Sequence, residues 1–170
     1  GGDKTFLNTN DCGIRNQGSA NYIKNIVGEV DVLLTQFSYA YWAGNKDEQA
    51  YRKKVADDKL DALKFQCEVF EPKALIPIAS YIYFCHEENY YLNDHINTAE
   101  KTFHYIKNNT NVFPVILYNG DEYMYPEKWD STDSIQKYMA DLKNIDLNQA
   151  NLVKSASVEL VELHKQADGF

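Results

Sequence analysis

Apolar residues in this chain fall into short continuous runs separated by stretches of helical spacing. DVLLTQF, from Asp31 to Phe37, is unbroken enough to be a strand buried on both faces of a parallel sheet, and a second run, ALIPIASYIYF, extends from Ala74 to Phe84. Between them Asn45, with Glu48 three residues on, is a helix-start signature. Ala50, Val55, Ala56, Leu60, Leu63, Cys67 and Phe70 then mark one buried side of a helix that must stop before Pro72. Strand, long helix and strand within about fifty residues make a βαβ unit, with parallel strands and a right-handed crossover. Pro77 places the second strand at an edge or a bulge.

The remaining elements are shorter. Lys4 to Asn8 is β-prone and empties into TNDCGIRNQGS, which can continue neither strand nor helix. Ser19 can cap a helix carrying Ala20, Ile23, Ile26 and Val27 on one face, stopped by Gly28. Asn97 with Glu100 starts another, with Ala99, Phe103 and Ile106 on its inner face and His104 at the surface. FPVILYNGDEYMY predicts a strand, a turn at Asn119 to Asp121 and a short return strand. DSTDS starts a helix with Ile135, Tyr138, Met139 and Leu142. Asn148 to Gln166 predicts a last helix whose broad apolar face must meet this chain, a neighbouring segment or a second subunit, so a homodimer through it is one expectation.

Composition narrows the class. With 170 residues, 44% of them hydrophobic, the chain supports one domain over residues 1–170. A net charge of −8 with no basic block argues against nucleic acid or an anionic membrane as partner. No apolar run reaches the roughly 18 residues of a membrane span. Cys12, Cys67 and Cys85 are odd in number and lack CxxC spacing, and read as reduced thiols of a cytoplasmic protein.

The best site candidate is the polar loop after Phe84, which gathers His86, Glu87, Glu88, Asn93, Asp94 and His95. Such residues can bind a metal or exchange protons, yet no HxHxDH, HExxH or HxH spacing is present. Asp11 follows the first strand, where α/β enzymes place reactive groups, and is also an ordinary turn residue. Cys85 beside His86 is no dyad, because sequence neighbours in a strand point apart, and the glycines match no phosphate-binding loop.

TFLNTNDC, VDVLLTQFSYAYWAG and EPKALIPIASYIYFCHEENYYLNDHINT resemble the C-terminal half of a metallo-β-lactamase-fold protein. They are most similar to the branch of cytidine monophosphate-N-acetylneuraminate hydroxylase and related bacterial proteins of unknown substrate. The resemblance implies an α/β fold, half of an αββα sandwich with a mixed sheet and flanking helices, and hence the C-terminal part of a longer protein. It implies that Asp11 is a metal-bridging aspartate and that His86 is a ligand or acts on substrate. Where relatives with an IP-x-H pattern carry a metal-binding histidine, this chain has Ala79.

The resulting expectation is part of a metal-dependent hydrolase or hydroxylase-like enzyme, inactive as a fragment. Zn or Fe would be bound by upstream histidines with Asp11 and His86. His86 and Asp94 would orient a small-molecule substrate, a sugar or nucleotide-sugar, or shuttle protons. The alternative is a degenerate centre serving as a binding or assembly module, with Tyr39 to Trp42, Tyr90 and Tyr91 stacking on a sugar or nucleotide.

Overall fold

A computed structural model describes residues 3–10, 12–147, 153–154 and 156. Four parallel strands, β1 (Phe6–Asn8), β2 (Val32–Thr35), β3 (Ala74–Pro77) and β4 (Phe113–Pro114), lie side by side in chain order. They are joined by helices α1 (Gln17–Val27), α2 (Gln49–Phe70) and α3 (Ala99–Asn109), and α4 (Thr132–Leu147) follows. Right-handed crossovers that all step the same way put all three connecting helices on one face. Register shows the result: Leu7, Leu33 and Leu75 are cross-strand partners in one row. That row packs against Ala20 of α1, Leu60, Leu63, Cys67 and Phe70 of α2 and Ile106 of α3. The other face, with Val32, Leu34, Ala74, Ile76 and Val115, is covered by Leu117, Tyr123, Tyr125 and Trp129 from an irregular segment.

Several boundaries move for local reasons. Asn16, not Ser19, caps α1, accepting from the Ser19 N–H at 2.9 Å, and Gly28 closes the helix at φ 70°. Glu48 does reach back to the Asn45 N–H at 2.6 Å, but α2 begins only at Gln49. Thr98 caps α3, leaving Asn97 for another task. β3 ends at Pro77, well short of Phe84, because Ala79 adopts φ 54° and turns the chain. Pro77 sits in an interior strand without loss. The N–H groups of Ala74 and Ile78 face β2, so Pro77 faces β4, which has already ended at Pro114.

The expected hairpin does not form. Asp121 N–H closes a turn on the Tyr118 carbonyl at 2.9 Å, with Gly120 at φ 88°, yet the returning chain makes no ladder. Its aromatic residues lie across the apolar sheet face instead, where they bury more than an exposed two-stranded return would. The described sheet is therefore wholly parallel rather than mixed. Val153 also departs from the expected final helix, since it exchanges backbone hydrogen bonds with Cys85 and Glu87 at 3.0 Å. Apart from Lys154 and Ala156, the rest of that stretch, and the dimer expected through it, lie outside the described residues. No described helix is long and apolar enough to cross a membrane.

One carboxylate fastens the amino-terminal edge of the sheet. Asp31, 5% exposed, accepts from Lys73 Nζ at 2.8 Å, the Thr5 N–H at 3.0 Å and the Tyr125 hydroxyl at 3.0 Å, with Lys4 3.7 Å away. The Lys73 hydrogen bond, more than any other contact, holds its pKa far below the usual carboxylate range. A depressed acid contributes stability that is present above its unfolded pKa, about 3.9, and lost as pH falls below that value toward the folded one. The stability difference between wild type and Asp31→Asn, read from urea midpoints, should be constant above about pH 5 and shrink as pH drops through 4 and below. A difference independent of pH down to the acid limit would show that Asp31 is not so held.

Candidate functional site

Parallel pairing brings the carboxyl ends of all four strands to one edge, so the segments 9–16, 36–48 and 78–98 meet there. The last is tied down at both feet. Ser80 Oγ accepts from the Phe37 N–H at 3.1 Å and donates to the Ser38 carbonyl at 3.2 Å. Asn97 donates its backbone N–H to Ser38 Oγ at 2.9 Å, and its Nδ2 to the Phe37 and Ala56 carbonyls at 2.7 and 2.8 Å. Between these feet, the Asn93 side chain brackets both backbone groups of Phe84 at 2.8 Å, and a short 3-10 helix runs from Tyr90 to His95.

Asp94 receives Arg52 Nε at 2.9 Å and Nη2 at 2.7 Å. Arg52, on α2, is 0% exposed. Its Nη1 and Nη2 also donate to the Asn45 and Lys46 carbonyls, and the Tyr91 ring lies 4.9 Å from its guanidinium carbon. The hydrogen bond to Asp94 is the main cause of its raised pKa. A bidentate guanidinium of this kind occupies both carboxylate oxygens, so Asp94 anchors the segment to α2. His86 is half-buried, its backbone flanked by the bonds to Val153, and its imidazole meets no hydrogen-bond partner among the described residues. Asp11 lies outside the described residues, although its neighbours Asn10 and Cys12 line a crevice between the ends of β1 and β2.

The segment does not collect its ligand-type residues. Among the described residues no three His, Cys, Asp or Glu side chains converge in a way that could hold a metal ion. His86 with Glu87, Glu88, Asp94 and His95 therefore makes no complete metal site, and a bound ion would need ligands beyond them. Among the described cysteines Cys12, Cys67 and Cys85 are free thiols, and burial pushes Cys67 up to about 12.

The aromatic expectation divides. Tyr39 is a core residue, 0% exposed, its hydroxyl on the Leu92 carbonyl at 2.5 Å and pushed up to about 12 by burial. Tyr41 and Trp42 are exposed. Tyr90 and Tyr91 line a hollow of about 560 Å3 that adjoins another of about 340 Å3, the two sharing Tyr83, Ile96, Thr98 and Leu142. The second is walled by Tyr81 and Tyr138, stacked at 4.2 Å and 3°, with Tyr118 edge-on to Tyr138. Tyr118 donates to Asp141 at 2.7 Å. Sequence reasoning missed this cleft. Its signal was the i, i+3, i+4, i+7 set Tyr138, Asp141, Leu142 and Ile145 on α4, which mixes ring, carboxylate and aliphatic groups on one face.

Comparison with known proteins adds no relative: no family model matches the chain, and no curated protein or solved structure does.

Asp94→Asn should lower stability by about 1–3 kcal/mol in urea denaturation, because it leaves the buried Arg52 charge without its counterion. The carboxylate's own 27% side-chain exposure keeps the loss modest. An unchanged urea midpoint would mean that water replaces the pair at no cost.

Proposed function

We propose that the chain is the C-terminal portion of a metal-dependent hydrolase of metallo-β-lactamase-like architecture, acting on a small polar substrate such as a sugar or nucleotide-sugar. The observation that carries this reading is the one-sided build of the sheet. Helices fill one face, while the apolar second face is covered, among the described residues, only by side chains from an irregular segment. Half of a two-sheet sandwich needs an apolar second face, and here the irregular segment lies where the other sheet would pack. Convergence of three segments at the carboxyl edge supports the reading too. On this proposal Asp11 and His86 contribute ligands to a Zn or Fe site completed outside this chain. Asp94 holds the His86 segment through Arg52.

Metal content per chain of the full-length protein tests it. Asp11→Ala and His86→Ala should each lower bound Zn or Fe, with the far-ultraviolet circular dichroism unchanged. Metal content and hydrolytic activity equal to wild type in both variants would sink the assignment.

The tyrosine cleft favours a second reading, a binding or assembly module that recognises a sugar or nucleotide by stacking. Against a panel of monosaccharides and nucleotide-sugars, Tyr83→Ala should then weaken binding by about ten-fold. Undiminished binding would remove the cleft from consideration.

A further inference from the structure

His86 stands in an irregular stretch, and the direction of its Cα–Cβ bond is set by the two peptide planes on either side of it. One residue holds both. Val153 donates its N–H to the Cys85 carbonyl at 3.0 Å, and its own carbonyl accepts from the Glu87 N–H at 3.0 Å, which makes a parallel bridge centred on His86. The His86 carbonyl accepts from the Asn89 N–H at 3.1 Å, and Asn93 brackets Phe84 upstream. The backbone around His86 is thus fastened on both sides.

Side chains contribute little to the bridge. Lys154 Nζ lies 3.5 Å from Glu87 Oε2, but both groups are more than half exposed, so solvent screens the pair. The Val153 side chain is itself 48% exposed. We infer that Val153 is a positioning residue for His86: its main-chain N–H and C=O hold the backbone from which the imidazole binds a cation. The cation is that of the hydrolase reading, and this part of the inference rests on it, whereas the fastening of His86 does not. A histidine whose ring must first be ordered binds a metal more weakly than one already held. The coupling is reciprocal, so metal at His86 favours docked Val153 by the same factor. An isolated bridge opens at low cost, which leaves the metal room to tighten it.

Two readouts on the full-length protein test this, each with and without zinc. One is amide hydrogen exchange at Glu87. The other is the rate at which diethyl pyrocarbonate modifies His86, followed by peptide mass spectrometry against the exposed His104. Val153→Pro removes the N–H donor, and Val153→Ala keeps it. Without zinc, Val153→Pro should speed Glu87 exchange about ten-fold and raise His86 modification relative to His104, with Val153→Ala close to wild type. Zinc should slow Glu87 exchange in the wild type, and Val153→Pro should weaken zinc affinity about ten-fold. An unaltered His86 modification rate in Val153→Pro would overturn the positioning role, as would a Val153→Ala variant that behaves like it. Zinc binding that survives both Val153→Pro and His86→Ala instead sinks the hydrolase reading, so the two failures are distinguishable. Should Val153→Pro not fold, the wild type decides alone: Glu87 exchange that zinc leaves unchanged overturns the inference.

Discussion

A guanidinium that water cannot reach must find protein acceptors for its donors, and Arg52 imposes that requirement on the carboxyl edge of the sheet. It satisfies the requirement by holding the segment before α2 through two backbone carbonyls and the segment after β3 through Asp94. Position 52 of the longest helix thus determines where both loops lie. Asn97 repeats the device nearby, spending its amide donors on carbonyls of Phe37 and Ala56. Asn97 itself lines the tyrosine cleft and Asp94 the hollow beside it, so these fastenings form part of their walls.

The βαβ unit and the core side of α2 were legible because their signals are periodic and local. Val55, Leu60, Leu63, Cys67 and Phe70 are buried as the spacing requires. What misled was chemistry shared by two roles. Asn97 reads as a cap and serves as a buried tether, since a carboxamide suits both. Asp94 is also the counterion of a residue 42 positions earlier, a distance no spacing rule spans. Asn119 and Gly120 do make a tight turn, but a turn does not decide whether the returning chain pairs or packs. That choice was made by the bare apolar face of a sheet assembled from three other segments.

Gln66 was hidden for a related reason. A lone amide in an apolar helical stripe looks like noise until two threonines from different strands are found on its oxygen. The tyrosine cleft likewise draws on the segment after β3, the turn after β4 and α4, and only folding makes them neighbours.

Pro114 has a further effect through its place in β4. Phe113 and Val115 direct their N–H groups inward to β3, so the position between them faces outward at the rim of the sheet, and there proline has no hydrogen to offer. That rim is capped against recruitment of another strand. Any lengthening of the sheet by a foreign chain is left to the opposite border, along β1, where the Phe6 ring is 57% exposed. Among the described residues the sheet therefore has one side that proline closes and one, along β1, that no strand covers, a polarity of assembly that lies crosswise to the strand direction.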